Sequence, residues 1–351
     1  GTIEWDLTQY RGRTVTLTLI IEGDGNEWAN AWSDWVDITV SEPPDDNIIT
    51  PDEMPYIIDD QEVIEHGNYF EVSGDWTSSS TDTFAIMVTA SDVTLNGDGY
   101  LLSGTLDSDG STTQTGILVT GNNVDVQNVK IYGWDTGISY SGVTTGHIVN
   151  NAVTGNTRNG IDLARCNAIT IEGNTVTANT GSPYSTGIMA RNSQNIDVKM
   201  NTATGNKAGI YFENVAGGNV LNNDASNNVV LGIGVMSGSS SITIDGNTIQ
   251  NVKGTPTSNG IQVGGENLNV IDVTNNLVSG CDGNGVQFDH VTTGHILNNQ
   301  VTGNAMNGIN LDACAGVTVE GNTMTGNTNG IFTGNSKEII IESNIIIENN
   351  L

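Results

Sequence analysis

Basic residues are scarce in this chain, with 10 Lys and Arg against 40 Asp and Glu and a formal net charge of −30 over 351 residues. A phosphate backbone is held chiefly by Lys and Arg, so nucleic acid is a poor partner, and cations or neutral glycans suit the surface better. Cysteine is limited to Cys166, Cys281 and Cys314. Three are too few for a disulfide scaffold and lack the short paired spacing of a zinc site. No apolar run reaches the ~18 residues of a spanning helix, so this chain supplies no membrane span. Aromatics make up only 5%. High acidity with few aromatics is the composition of disorder, but here the apolar residues recur in regular short stretches, and that regularity overrules the composition.

What is present is a repeat. A glycine precedes an aliphatic at Gly116-Ile117, Gly137-Ile138, Gly160-Ile161, Gly187-Ile188, Gly209-Ile210, Gly232-Ile233, Gly260-Ile261, Gly285-Val286, Gly308-Ile309 and Gly330-Ile331, in steps of 21 to 28 residues. An asparagine ladder follows: Asn128, Asn151, Asn174, Asn201, Asn223, Asn247, Asn276, Asn299, Asn322 and Asn344, with nearly the same unequal steps. Two markers that lengthen together describe coils that absorb insertions without losing register. Between them lie alternating β-branched stretches such as Ile169-Thr170-Ile171 and Ile242-Thr243-Ile244, bounded by Gly-Asn turns and free of helical periodicity. A coil of about 23 residues cannot bury its apolar face alone, but strands stacked ~4.8 Å apart cover it above and below. The expected fold is all-β, a parallel β-helix of about ten coils. Asparagine suits the turns, because it tolerates left-handed backbone angles and its amide can bond along the axis.

The segment from Val143 to Asn174 matches Val291 to Asn322 at an offset of 148, with 21 of 32 positions identical, so six coils look duplicated. The echo pairs His147 with His295 and Cys166 with Cys314, roughly 29 Å apart at one strand spacing per coil. That exceeds disulfide reach, so the cysteines are expected to be buried thiols, with intermolecular bonding as the alternative for Cys166, Cys281 and Cys314. The two histidines read as turn residues, not metal ligands. Residues 43–76 read as an acidic, proline-containing linker and cap segment leading into the helix, which occupies 77–351. The chain opens on Gly1 and stops at Leu351 while still reading as strand, so it is expected to be processed or excerpted, with an open edge that another strand would cover.

Residues 1–42, with Trp5, Tyr10 and the Trp32-Ser33-Asp34-Trp35 stretch, resemble the closing strands of a jelly-roll carbohydrate-binding module. From about Tyr56 onward, Ser91-Asp92-Val93-Thr94-Leu95-Asn96-Gly97, Val129-Lys130-Ile131-Tyr132-Gly133-Trp134 and the recurring Gly-Ile and Gly-Asn units resemble the parallel β-helix repeat family. Within it, the chain is similar to the carbohydrate-binding and sugar-hydrolase β-helix proteins of methanogen cell surfaces. The resemblance implies a right-handed helix, and its members include lyases, epimerases, hydrolases, adhesins and surface-layer proteins, so fold cannot select function.

Tyr132-Gly133-Trp134-Asp135 resembles the opening of the Tyr-Gly-Phe-Asp-Pro-His signature of alginate epimerases, but Thr136-Gly137 replaces Pro-His and removes a proton-transfer group. Three residues beyond the Gly-Ile aliphatics stand Arg191, Glu213, Asp289 and Asp312. Asp289 and Asp312 could serve as a catalytic pair or a calcium site, or be a solvated pair, while Arg191 beside Glu213 reads as a surface ion pair. No other cofactor is expected. Tyr211 and Phe332 face outward but lie five coils apart, roughly 24 Å, and make no joint sugar platform. Lyases of this fold resemble one another in a Lys or Arg cluster that the scattered Arg158, Arg165 and Arg191 do not match. The reading that follows is a secreted structural protein of a cell-surface layer, sheath or filament. It would associate with copies of itself, with other surface-layer subunits or with cell-surface glycan. The alternative is an extracellular polysaccharide-active enzyme or glycan-binding protein.

Overall fold

The computed structural model describes residues 47–349 apart from 80, 106–113 and 182–184. The expected sandwich strands at 1–42 and the first residues of the linker lie outside the described residues. The described chain is a right-handed parallel β-solenoid with three faces. One coil shows the plan: Thr136–Ser141 lies on the first face, Thr144–Val149 on the second and Ala152–Thr154 on the third. The next coil repeats it in register, with Ile138 beside Ile161, Ile148 beside Ile171 and Val153 beside Val176. The first and second faces form one 22-stranded sheet. They join because Thr186–Lys199, Ala208–Leu221 and Asn259–Thr274 each run round the corner as a single strand. The third face is divided into sheets of six and five strands, linked only by isolated bridges at Asp224 to Thr202 and Thr248.

The stack begins upstream of residue 77. Tyr56–Ile58, Tyr69–Val72 and Trp76–Thr77 already pair in parallel with the following coil, and Ile48–Ile49 pairs with Tyr69–Val72. The stretch read as linker and cap therefore carries stack strands. Its cap-like feature is the short helix Asp60–His66, inserted between two faces and capped by Asp59, whose carboxylate accepts from the Gln61 and Glu62 amides. Together these pieces give about 13 turns, more than the ten marked by the Gly-Ile repeat.

Alternation fills the core. Ile117, Ile138, Ile161, Ile188, Ile210, Ile233 and Ile261 stack on one another, all fully buried. Each such side chain contributes about 1.5–3 kcal/mol relative to exposure. At the glycine before each isoleucine there is no room for a Cβ against the carbonyl of the next coil's glycine. A Cβ on Gly232 would lie 2.5 Å from the carbonyl oxygen of Gly260 and 2.4 Å from the Cγ2 of Ile249. Larger side chains occur near the start of the stack, where Trp134 is buried, stacks on Trp76 at 6.2 Å and donates its indole N–H to the Leu102 carbonyl.

The asparagine ladder is continuous from Asn151 to Asn344. Asn223 is representative: its Oδ1 accepts from the Asn201 backbone N–H and Nδ2, and its Nδ2 donates to Asn247 Oδ1 and the Val198 carbonyl. Asn128 stands one residue off this column. It has φ of 55°, and Val129 holds the ladder position, donating its N–H to Asn151 Oδ1. A left-handed residue precedes each ladder position, and Asn128 is that residue in its coil. A second ladder, unmarked in the sequence reading, closes the third face through Asn156, Asn179 and Asn206 and again through Asn304, Asn327 and Asn349. Cys281 occupies one of its positions and donates its backbone N–H to Asn304 Oδ1.

Candidate functional site

The outward side of the first face is where chemically distinct groups gather. Residues that follow each buried aliphatic form one column, Asp162, Met189, Tyr211 and onward. Two residues later runs a parallel column with Ala164, Arg191 and Glu213. Because the strands are in register, side chains far apart in sequence become neighbours at one strand spacing. A concavity of about 400 Å³ opens here, with Met189, Tyr211 and Leu231 as its apolar floor and Lys207 and Glu213 at its sides. Burial, reinforced by the Glu213 carboxylate, pushes the Tyr211 hydroxyl above its usual pKa.

Beside the concavity lies an ion-pair network. Arg191 Nη2 reaches Asp162 Oδ2 at 2.8 Å, and Arg158 Nη1 reaches Asp135 Oδ2 at 3.4 Å. Arg191 stands in register with Glu213, as expected, but its ion pair is with Asp162 in the preceding coil. Asp162 is 6% exposed and its Oδ1 has no hydrogen-bond partner. Burial raises its carboxyl pKa, opposed in part by Arg191 and then Arg158. Lys207, Arg158 and Arg191 are thus brought to adjacent coils, whereas the sequence presents them as scattered. The signal that could have found Asp162 is its place directly after Gly160-Ile161.

The sequence candidates disperse. Tyr132 is an exposed third-face residue, and Asp135 sits at the corner after it, accepting from Thr157 Oγ1 at 2.9 Å. Asp289 and Asp312 are register neighbours on the first face, at least six coils away, roughly 29 Å. These four do not make one catalytic centre. Asp289 Oδ1 pairs with His290 Nδ1 at 2.7 Å, and Asp312 Oδ1 accepts from Asn335. A calcium ion needs six to eight oxygens, and among the described residues no group of three or more His, Cys, Asp or Glu converges. His147 and His295 lie on second-face strands, not turns, each bonded through Nδ1 to an aspartate of the preceding coil, Asp125 at 2.7 Å and Asp272 at 2.6 Å. All three cysteines are buried and unpaired, so none presents a sulfur for bonding to another molecule. Burial pushes the Cys281 thiol up to about 11.

Residues 115–272 match the family model described as right handed beta helix region, and residues 242–351 match that of the periplasmic copper-binding protein NosD. Copper favours soft sulfur and imidazole ligands held together. In the second segment Cys281 and Cys314 point into the core at different corners, while His290 and His295 are on the surface bonded to aspartates. These residues do not fit a copper site. Among solved structures, the chain resembles the Azotobacter vinelandii mannuronan C-5 epimerase AlgE6 A-module, with TM-score 0.61, 13% identity and coverage of 79% of this chain and 83% of that one. It resembles PfbA, a surface adhesin of Streptococcus pneumoniae, with TM-score 0.61, 14% identity and coverage of 83% and 82%. It also resembles DFA-IIIase from Arthrobacter chlorophenolicus A6 in complex with GF2, with TM-score 0.54, 17% identity and coverage of 72% and 70%. At these identities the likeness is one of fold. No curated protein matches the chain. Among the described residues no helix is long and apolar enough to cross a membrane.

Proposed function

We propose that this right-handed parallel β-helix binds polysaccharide along its first face, outside the cytoplasm. The observation that carries this reading is the concavity at Met189, Tyr211 and Leu231, flanked by Lys207, Glu213 and the Asp162-held Arg191. An apolar and aromatic floor with a few fixed polar groups is the usual composition of a ligand site. The cations suit a sugar carboxylate, and Asp162 keeps the Arg191 guanidinium in place before a ligand arrives, which lowers the ordering cost of binding. Support also comes from the neighbours, two of which are named as a mannuronan epimerase and an enzyme solved with a GF2 ligand. The periplasmic description of the second family model supports the location.

Titration calorimetry with hexamers of mannuronate, guluronate and galacturonate tests it. At least one should bind, with affinity reduced about tenfold by Tyr211→Ala and by Arg191→Ala, a loss of about 1.4 kcal/mol. Unchanged affinity in both variants would remove this face from consideration.

A further inference from the structure

The duplicated block places two equivalent patches on the first face, and their chemistry has diverged. At the offset of 148, Arg158 corresponds to Met306, Asp162 to Asn310 and Ala164 to Asp312. One coil further on, the register equates Met189 with Phe332 and Arg191 with Gly334. All three charges of the Arg158, Asp162 and Arg191 group are therefore replaced by neutral residues, while Asn159 and Asn307 and the adjoining Gly-Ile are the same in both.

The second patch lines a concavity of its own, with Met306, Asn310, Asn329 and Phe332. Phe332 and Met306 are 48% and 42% exposed. Behind them runs a fixed amide network. Asn307 Nδ2 donates to Asn284 Oδ1 at 2.9 Å, Asn329 Nδ2 donates to Asn307 Oδ1 at 2.6 Å, and Asn284 Nδ2 donates to Gln287 Oε1 at 3.1 Å. The side-chain amide of Asn310 makes no hydrogen bond among the described residues, so both its donor and acceptor are available. Such a surface offers an aromatic face and paired donors and acceptors without a cation. Asp289 and Asp312 beside it would repel a carboxylate.

We infer that this patch is a second subsite, selective for uncharged pyranose units, whose ring stacks on Phe332 and whose hydroxyls bond to Asn310 and Asn329. The inference rests on the first face being the glycan surface and specifies what its far half accepts. Tyr211 and Phe332 lie five coils apart, roughly 24 Å, so one long chain could occupy both subsites.

The test uses the full chain with Phe332→Ala, Asn310→Ala and Tyr211→Ala, each checked for an unchanged thermal unfolding midpoint. Calorimetric probes are cellohexaose, mannohexaose and xylohexaose beside the hexauronates. At least one neutral hexamer should bind, about tenfold more weakly to Phe332→Ala and to Asn310→Ala, with hexauronate binding unchanged in both. If hexauronates bind in a Tyr211-dependent way, but no neutral hexamer binds or neutral binding ignores Phe332 and Asn310, the second subsite is wrong and the first-face reading survives. If no oligosaccharide of either kind binds, the first-face reading fails and the subsite with it.

Discussion

Asp162 shows how one residue's setting can outweigh its formula. It is acidic in a chain already crowded with acid, yet burial raises its carboxyl pKa despite Arg191 and Arg158. Below the ordinary carboxylate range the folded and unfolded chains both carry the proton, and its contribution to stability is fully present. As pH rises, the unfolded chain loses the proton first, so that contribution is lost through the raised native value. Urea unfolding of the protein and of Asp162→Asn should therefore show the native residue's advantage shrinking as pH rises above the ordinary carboxylate range. An advantage that grew with pH would mean that pairing with Arg191 outweighs desolvation. The thiols carry a parallel expectation: with Cys281 at about 11 and all three cysteines buried, a thiol reagent at about pH 8 should label none in the native protein and all three in urea.

At the scale of the coil, the ladder and the glycine column do different work. Asn223 joins four hydrogen bonds across three coils, and Asn223→Ala strands the partner groups in a buried corner. The cost should be about 3 kcal/mol in urea unfolding. Gly232→Ala should cost at least as much, because the added methyl meets backbone of the next coil and cannot be relieved by a rotamer change. Periodicity made these elements legible: the Gly-Ile marker, the strands around it and nine of the ten ladder asparagines are where the spacing puts them. Asn128 went astray because asparagine serves two adjacent roles at each corner, left-handed turn and ladder, and identity alone does not separate them. The first-face groups were harder to see. Arg191 reaches back one coil and across one column to Asp162, and side-chain direction is not encoded in the repeat length. The stack's upstream coils were missed because helix Asp60–His66 interrupts the marker spacing there.

For the whole molecule, the formal charge of −30 opposes compaction, since the solenoid holds like charges at strand spacing. Raising sodium chloride from about 20 mM to about 0.5 M should therefore raise the thermal midpoint, as screening shortens the Debye length from about 20 Å to about 4 Å. A midpoint that fell would show that the attractive pairs, such as Arg191 with Asp162, matter more than the surplus charge. The direction of the amides has its own consequence. In both buried ladders the amide-to-amide links run to the following coil, as from Asn223 to Asn247 and from Asn156 to Asn179. In the first-face network the order reverses, from Asn329 to Asn307 and from Asn307 to Asn284. The amide links of the two ladders thus run against those of a row on the first face, so the solenoid has a vectorial grain, partly compensated on that face, and a coil could be added to it in one orientation only.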